Sequence, residues 1–244
     1  MESNDQVTTR FRPKGRVLEA LRDMRKLGVA RRLGVIDPQL VEQLRAGAGL
    51  VEGHANHDYI DDVAVHWRRA GFPMTEGDKR TPYTESLKSN VGIAKITDEH
   101  GAILDHYRNT PLHEAMTRWL DAITPFADDL SLTRINVLRA QGRVQEHIDP
   151  PDQNMIQCLL SGQTTFVFRT KSEIRAFRME IGEIWWFNTT WPHRTLNQSD
   201  EERLLLHTRG RVRQSWLAAS QEAKPNTTPE PGGFKTEPTP RNPS

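Results

Sequence analysis

The chain is 244 residues long, enough for one sizeable domain with a helical extension. Charged residues make up 27% and hydrophobic residues 36%, with a net charge of +1, so nothing draws the whole molecule to nucleic acid or to an anionic membrane surface. No apolar run approaches the roughly eighteen residues that a spanning helix needs. The first twenty residues lack a secretory apolar core, and the single cysteine, Cys158, cannot form an internal disulfide. A cytoplasmic setting is therefore the default expectation.

In chain order, Val17, Leu18, Leu21, Met24 and Leu27 recur at helical spacing and predict a helix from about Arg16 to Arg32. Basic residues dominate that stretch, which reads as a solvated helix face before it reads as a patch for an acidic partner or RNA. Asp37 followed by Pro38 predicts a second helix start, with Leu40, Val41 and Leu44 on one face. Residues from His54 to Thr84 are mixed. His54, His57 and Asp58 could hint at a metal site there but show no third ligand, so a polar loop is the reading. Thr110-Pro111 repeats the cap-plus-proline signal ahead of an apolar stripe from Leu112 to Ile123.

After Pro125 the pattern changes to short strands: Leu132–Leu138, Arg143–Ile148, Met155–Leu160, Thr164–Arg169, Ile174–Met179, Ile184–Phe187 and Arg203–Thr208. Turn signals such as Gln141-Gly142, Ser161-Gly162 and Gly182 separate them, which predicts an antiparallel sandwich or barrel. From about Ser220 the chain turns rich in Pro, Thr, Gly and Asn, and a disordered tail is expected.

The chemistry concentrates between Val137 and Gly210. His147 and Asp149 lie two residues apart, so on a strand both side chains share a face. His193 follows Trp191-Pro192 at the end of another predicted strand. Two imidazoles and a carboxylate can occupy one face of an octahedral Fe(II), leaving three positions for a chelating co-substrate and dioxygen. Arg203, ten residues beyond His193, offers a planar fork for a remote carboxylate such as that of 2-oxoglutarate. The competing reading makes His193 a turn residue and pairs Arg203 with Glu201 or Glu202 at the surface.

The run Gly182-Glu183-Ile184-Trp185-Trp186-Phe187-Asn188, then Trp191-Pro192-His193 and Arg203, resembles the aspartyl/asparaginyl β-hydroxylase family, as does Val137 through His147. It is also similar to the bacterial free-proline hydroxylases related to that family. The resemblance spans roughly residues 131–211. It implies a mainly β fold with N-terminal helices around a double-stranded β-helix (jelly-roll, cupin-like) core, and Fe(II), 2-oxoglutarate and dioxygen used to hydroxylate an aliphatic carbon. By position it implies that His147, Asp149 and His193 bind the metal and Arg203 the co-substrate. Asp149 departs from the animal aspartyl hydroxylases, which lack this carboxylate, and implies a small amino-acid-like substrate before a peptidyl one. Cys158 stands where those enzymes carry a further co-substrate histidine, so Asn136 or Gln157 is the candidate second contact.

The domain plan that follows is a helical or mixed region over residues 1–125, a catalytic core over 126–219 and a tail over 220–244. On the strand of Arg203, alternation puts His207 and Arg209 on the same inward face. Arg209 with His207 then either binds a substrate carboxylate or joins Arg211 and Arg213 in a solvated basic cluster. Trp185, Trp186 and Phe187 read as core, and Cys158 as a small buried hydrophobe. Two other classes fit fewer of these residues: a cupin-like metalloenzyme that never uses 2-oxoglutarate, and a catalytically idle barrel that serves as a binding module.

Overall fold

A computed structural model describes residues 16–48, 91–149 and 155–227. Among these residues, ten strands form two antiparallel sheets. They are β1 (Ala30–Val35), β2 (Val91–Lys95), β3 (Ala127–Leu138), β4 (Arg143–His147), β5 (Met155–Ser161), β6 (Thr164–Arg169), β7 (Ile174–Met179), β8 (Glu183–Phe187), β9 (His193–Leu196) and β10 (Arg203–Val212). The larger sheet has the order β1-β8-β5-β10-β3-β2 and the smaller the order β4-β9-β6-β7. From β3 onward, strands alternate between the two sheets except at the β6–β7 hairpin, which stays in the smaller one, so that β3, β10, β5 and β8 face β4, β9, β6 and β7. That alternation is the double-stranded β-helix, a form of jelly roll.

Helices α1 (Arg16–Lys26), α2 (Pro38–Ala48), α3 (Pro111–Ile123) and the short α4 (Gln214–Ala219) accompany the sheets. Asp37 starts α2 as expected, its Oδ1 accepting the Gln39 amide at 2.8 Å. The apolar stripes of α2 and α3, including Leu44, Leu112, Met116 and Trp119, bury against Ile156, Cys158, Leu160, Trp186 and Leu206 on the outer face of the larger sheet. Period-2 alternation sends the other half of each strand inward, where Leu159, Phe166, Phe168, Phe177, Trp185, Phe187 and Leu205 form a second core between the sheets. Burial of these large side chains supplies the main stabilisation, about 1.5–3 kcal/mol for each one fully removed from water.

The structure corrects the sequence reading in four places. The first helix ends at Lys26, not Arg32: Gly28 takes φ +91°, a turn that glycine makes without strain, and the chain enters β1 on the edge of the larger sheet. β1 and β2 come from before residue 125, so the larger sheet crosses the expected domain boundary. β9 was missed, and His193 opens it instead of closing an earlier strand.

The fourth correction concerns the tail, part of which docks. Glu222 Oε1 accepts the Val29 amide at 2.6 Å and Arg175 Nη1 at 2.8 Å, and the Ala223 amide donates to Ala30 O. Asn226 exchanges two bonds with the Arg178 backbone. His54, His57 and Asp58 lie outside the described residues.

Candidate metal centre

β4 and β9 pair so that His147 stands opposite His193 at one end of the smaller sheet. Asp149 follows two residues after His147, and its amide donates to Thr189 O at 2.9 Å, which folds it back toward His193. One ligand atom from each of the three side chains lies within 4.8 Å of the others. Asp149 Oδ1 is 3.9 Å from His147 Nε2, and Oδ2 is 3.8 Å from His193 Nε2. Those separations exceed hydrogen-bond length, so the carboxylate and imidazoles face a shared space without bonding one another.

The imidazoles are set for that space. His147 Nδ1 donates to Gln145 O at 2.8 Å and His193 Nδ1 to Trp191 O at 3.0 Å. A carbonyl can only accept, so Nδ1 carries a proton in each ring and Nε2 is the atom left to face the shared space. Burial and the nearby His193 hold His147 well below the usual histidine range, which keeps it neutral. The rings sit 4.2 Å apart between centroids, and Phe168 stacks on His193 at 5.5 Å. Arg169 links both ligand strands: its side chain pairs with Glu146 and its amide donates to Pro192 O. Two imidazoles and a carboxylate with an open side suit a divalent transition metal.

Arg203 begins β10 and is 2% exposed. Its Nη1 donates to Thr164 Oγ1 at 3.2 Å, and its Nε is buried with no acceptor among the described residues. It pairs with neither Glu201 nor Glu202, which removes the surface ion-pair reading. Burial alone pushes its pKa down to about 9, so it remains charged at neutral pH. A buried cation with an unsatisfied donor is costly unless an anion joins it. Gly162, at φ +72°, lets the β5–β6 turn approach: a Cβ there would sit 2.9 Å from the Arg203 Cα.

The other sequence candidates reach the same interior. Leu205 and His207 oppose Asn136 and Arg134 on β3, and His207 opposes Gln157 on β5. Asn136 Nδ2 lies 3.2 Å from His207 Nε2, while the side-chain oxygens of Asn136 and Gln157 are buried with no partner among the described residues. Burial, then the charges of Arg134 and Arg203 and the nearby His193, hold His207 well below the usual histidine range. Arg209 is half-buried one step farther along, where β3 shifts register and Ser131 becomes its partner. It stands apart from Arg211 and Arg213, which pair with Asp129 and Asp128.

Cys158 faces the helices, not the site, and burial raises its thiol to about 12. Thr164 and Arg134 were missed by the sequence reading. Alternation with Phe166 and Phe168 was the available signal for Thr164.

Fold and site together define a jelly-roll protein with a His-Asp-His pocket able to hold a metal between its sheets. Residues 54–211 match the family model described as aspartyl/asparaginyl beta-hydroxylase, well over half of the chain, and the protein belongs to that family. Its hydroxylase character is thus set at family level.

No curated protein matches the sequence significantly. Among solved structures, a 2OG-Fe(II) oxygenase family oxidoreductase from Burkholderia pseudomallei is similar at 13% identity and TM-score 0.37, over 62% of this chain and 89% of that one. Oxalate decarboxylase from Bacillus subtilis is similar at 13% identity and TM-score 0.34, over 50% of this chain and 26% of that one. The Lactobacillus farciminis enzyme is similar at 16% and 0.34, over 55% and 34%. The chain thus spans about a quarter to a third of the oxalate decarboxylases. Among the described residues no helix is long and apolar enough to cross a membrane.

Proposed function

We propose that the protein is an Fe(II)- and 2-oxoglutarate-dependent dioxygenase that hydroxylates an aliphatic carbon of a small amino-acid-like or peptidyl substrate. The observation that carries this reading is the pairing of the His147, Asp149 and His193 cluster with Arg203, a buried guanidinium that has a donor to spare. Bound Fe(II), with 2-oxoglutarate and dioxygen, supplies the oxidation that places a hydroxyl on carbon, with succinate and carbon dioxide as by-products.

In this proposal, the chain's residues hold and orient. His147 and His193 offer Nε2, and Asp149 a carboxylate oxygen, on one side of the metal. Arg203 and the Thr164 hydroxyl receive the remote carboxylate of 2-oxoglutarate, so Thr164 supplies the second contact that Cys158 cannot reach from the outer face. Phe166, Phe168 and Leu205 wall the space and exclude water, which strengthens each charge interaction inside. The unpartnered oxygens of Asn136 and Gln157 call for a donor, which the ammonium of an amino acid would supply. Arg209, with His207 beside it, is the candidate contact for that substrate's carboxylate.

The test is anaerobic loading with Fe(II) and 2-oxoglutarate, then exposure to oxygen with amino acids, peptides and cell extract. Mass spectrometry should find one substrate gaining a single oxygen in step with succinate. Stoichiometric iron binding without any 2-oxoglutarate consumption would sink the co-substrate half of the proposal.

A further inference from the structure

The loop between β8 and β9, residues 188–192, carries the approach to His193 and holds Asp149 through the Thr189 carbonyl. A five-residue loop beside a metal pocket needs bracing, because small shifts there misplace both ligands. The bracing comes from the other end of the chain. Arg25, on α1, donates through Nε at 3.0 Å and Nη2 at 2.6 Å to the Thr190 carbonyl. Its guanidinium also lies 4.9 Å from the Trp191 ring centroid, in cation–π geometry.

Asn188 completes the clamp. Its Nδ2 donates to Met24 O, which also accepts the Leu27 amide, and to Gly28 O, each at 2.7 Å, tying the loop to the end of α1 and the turn after it. Its backbone amide donates to Val29 O at 2.9 Å, and its Oδ1 accepts the Thr190 hydroxyl at 2.5 Å. Glu222 of the C-terminal segment holds the same turn through the Val29 amide. Residues 16–30 and 214–227 both fall outside the family-matched stretch of 54–211, so the segments that brace the loop lie beyond that stretch, while the loop and Asn188 lie within it.

We infer that Arg25 and Asn188 are positioning residues for the metal centre: α1 clamps the 188–192 loop and thereby fixes Asp149 and His193. This rests on the metal-site reading above. Partners beyond the ligands themselves are worth roughly 10- to 100-fold in metal affinity, and Arg25 acts one step farther out, at the low end of that range.

The experiment titrates Co(II) into wild type, Arg25→Ala, Arg25→Lys, Asn188→Ala and, as a control on the same helix, the exposed Arg22→Ala, following the visible cobalt bands. Amide hydrogen exchange over residues 188–193 is measured in parallel on the metal-free proteins. Arg25→Ala should bind Co(II) roughly 10-fold more weakly, with altered bands and faster exchange in the loop. Arg25→Lys should recover part of the loss, and Arg22→Ala should behave as wild type.

Wild-type affinity, bands and exchange in a folded Arg25→Ala protein would overturn the inference. Asn188→Ala is read by the same criteria if its melting curve stays cooperative. Should wild type itself bind no Co(II), the triad reading fails separately, and loop exchange alone then decides whether α1 clamps the loop.

Discussion

Arg203 Nη1 donates to Thr164 Oγ1 at 3.2 Å, joining β10 of the larger sheet to β6 of the smaller one, while its Nε has no acceptor among the described residues. A cation so placed has been prepared for an anion, since leaving it unpaired costs stability that a ligand would return.

For that pair, Arg203→Ala should weaken 2-oxoglutarate binding roughly 10- to 100-fold, the scale of one charge-assisted hydrogen-bond set. Arg203→Lys should restore only part, because a point charge lacks the planar fork. Thr164→Val, nearly isosteric, should cost less than Arg203→Ala. The measurement is the 2-oxoglutarate dependence of succinate formation, with calorimetric binding as a check. An unchanged requirement in Arg203→Ala would assign the carboxylate to another residue.

The three candidate ligands differ in burial, which separates their mutants. His147 and Asp149 side chains are 11% and 14% exposed, His193 only 3% and stacked under Phe168. Alanine at any of the three should abolish turnover. His147→Ala and Asp149→Ala should leave the metal-free protein's melting temperature nearly unchanged, whereas His193→Ala opens a gap beside Phe168 and should cost about 1–3 kcal/mol. Thermal denaturation beside the succinate assay distinguishes the two effects, and normal turnover in any two variants removes the triad.

His207 gives a pH dependence whose sign can be worked out. Its folded pKa lies well below the ordinary value because it is buried beside Arg134, Arg203 and His193. The unfolded chain therefore binds more protons at this position, and stability rises with pH through that window. The metal-free protein should be at full stability above about pH 6.5, the unperturbed histidine value, and lose stability as pH falls below it. His147, shifted the same way, adds to the loss. Urea midpoints between pH 8 and pH 5 test this, and His207→Asn should flatten part of the slope. An identical slope in that variant would mean His207 is not the group responsible.

The C-terminal segment should matter to stability. Truncation after Ser220 removes the Glu222 bonds to Val29 and Arg175 and the paired Asn226 bonds to the Arg178 backbone. A loss of about 1–3 kcal/mol is expected, or roughly 2–10 °C in melting temperature for a chain of this length. Glu222→Ala alone should reproduce part of it. A truncated protein that melts with the full chain would show these contacts to be energetically neutral.

How far the sequence reached depends on the range of the interactions involved. Strands β5 to β8 were legible because apolar alternation and glycine turns are local signals, and α2 and α3 because a cap, a proline and an apolar stripe coincide. β9 was not, since His193-Arg194-Thr195-Leu196 carries little apolar content and becomes a strand only by pairing with β4 and β6. β1 has the same explanation: Ala30-Arg31-Arg32 continues a helical composition, and pairing with Trp185, Trp186 and Phe187 overrides it.

For the site, residue type and spacing singled out His147, Asp149, His193 and Arg203 as candidates, because ligand chemistry restricts which side chains can serve and strand alternation puts the first two on one face. Only the tertiary structure decided that Thr164 meets Arg203, that His207 and Gln157 share their interior, and that Arg25 holds the loop beside His193. Those partners are 39, 50 and 165 or more positions apart and leave no periodic trace in the chain. Local pattern records which face a side chain takes, and packing of the two sheets with α1 and residues 214–227 records what it meets there.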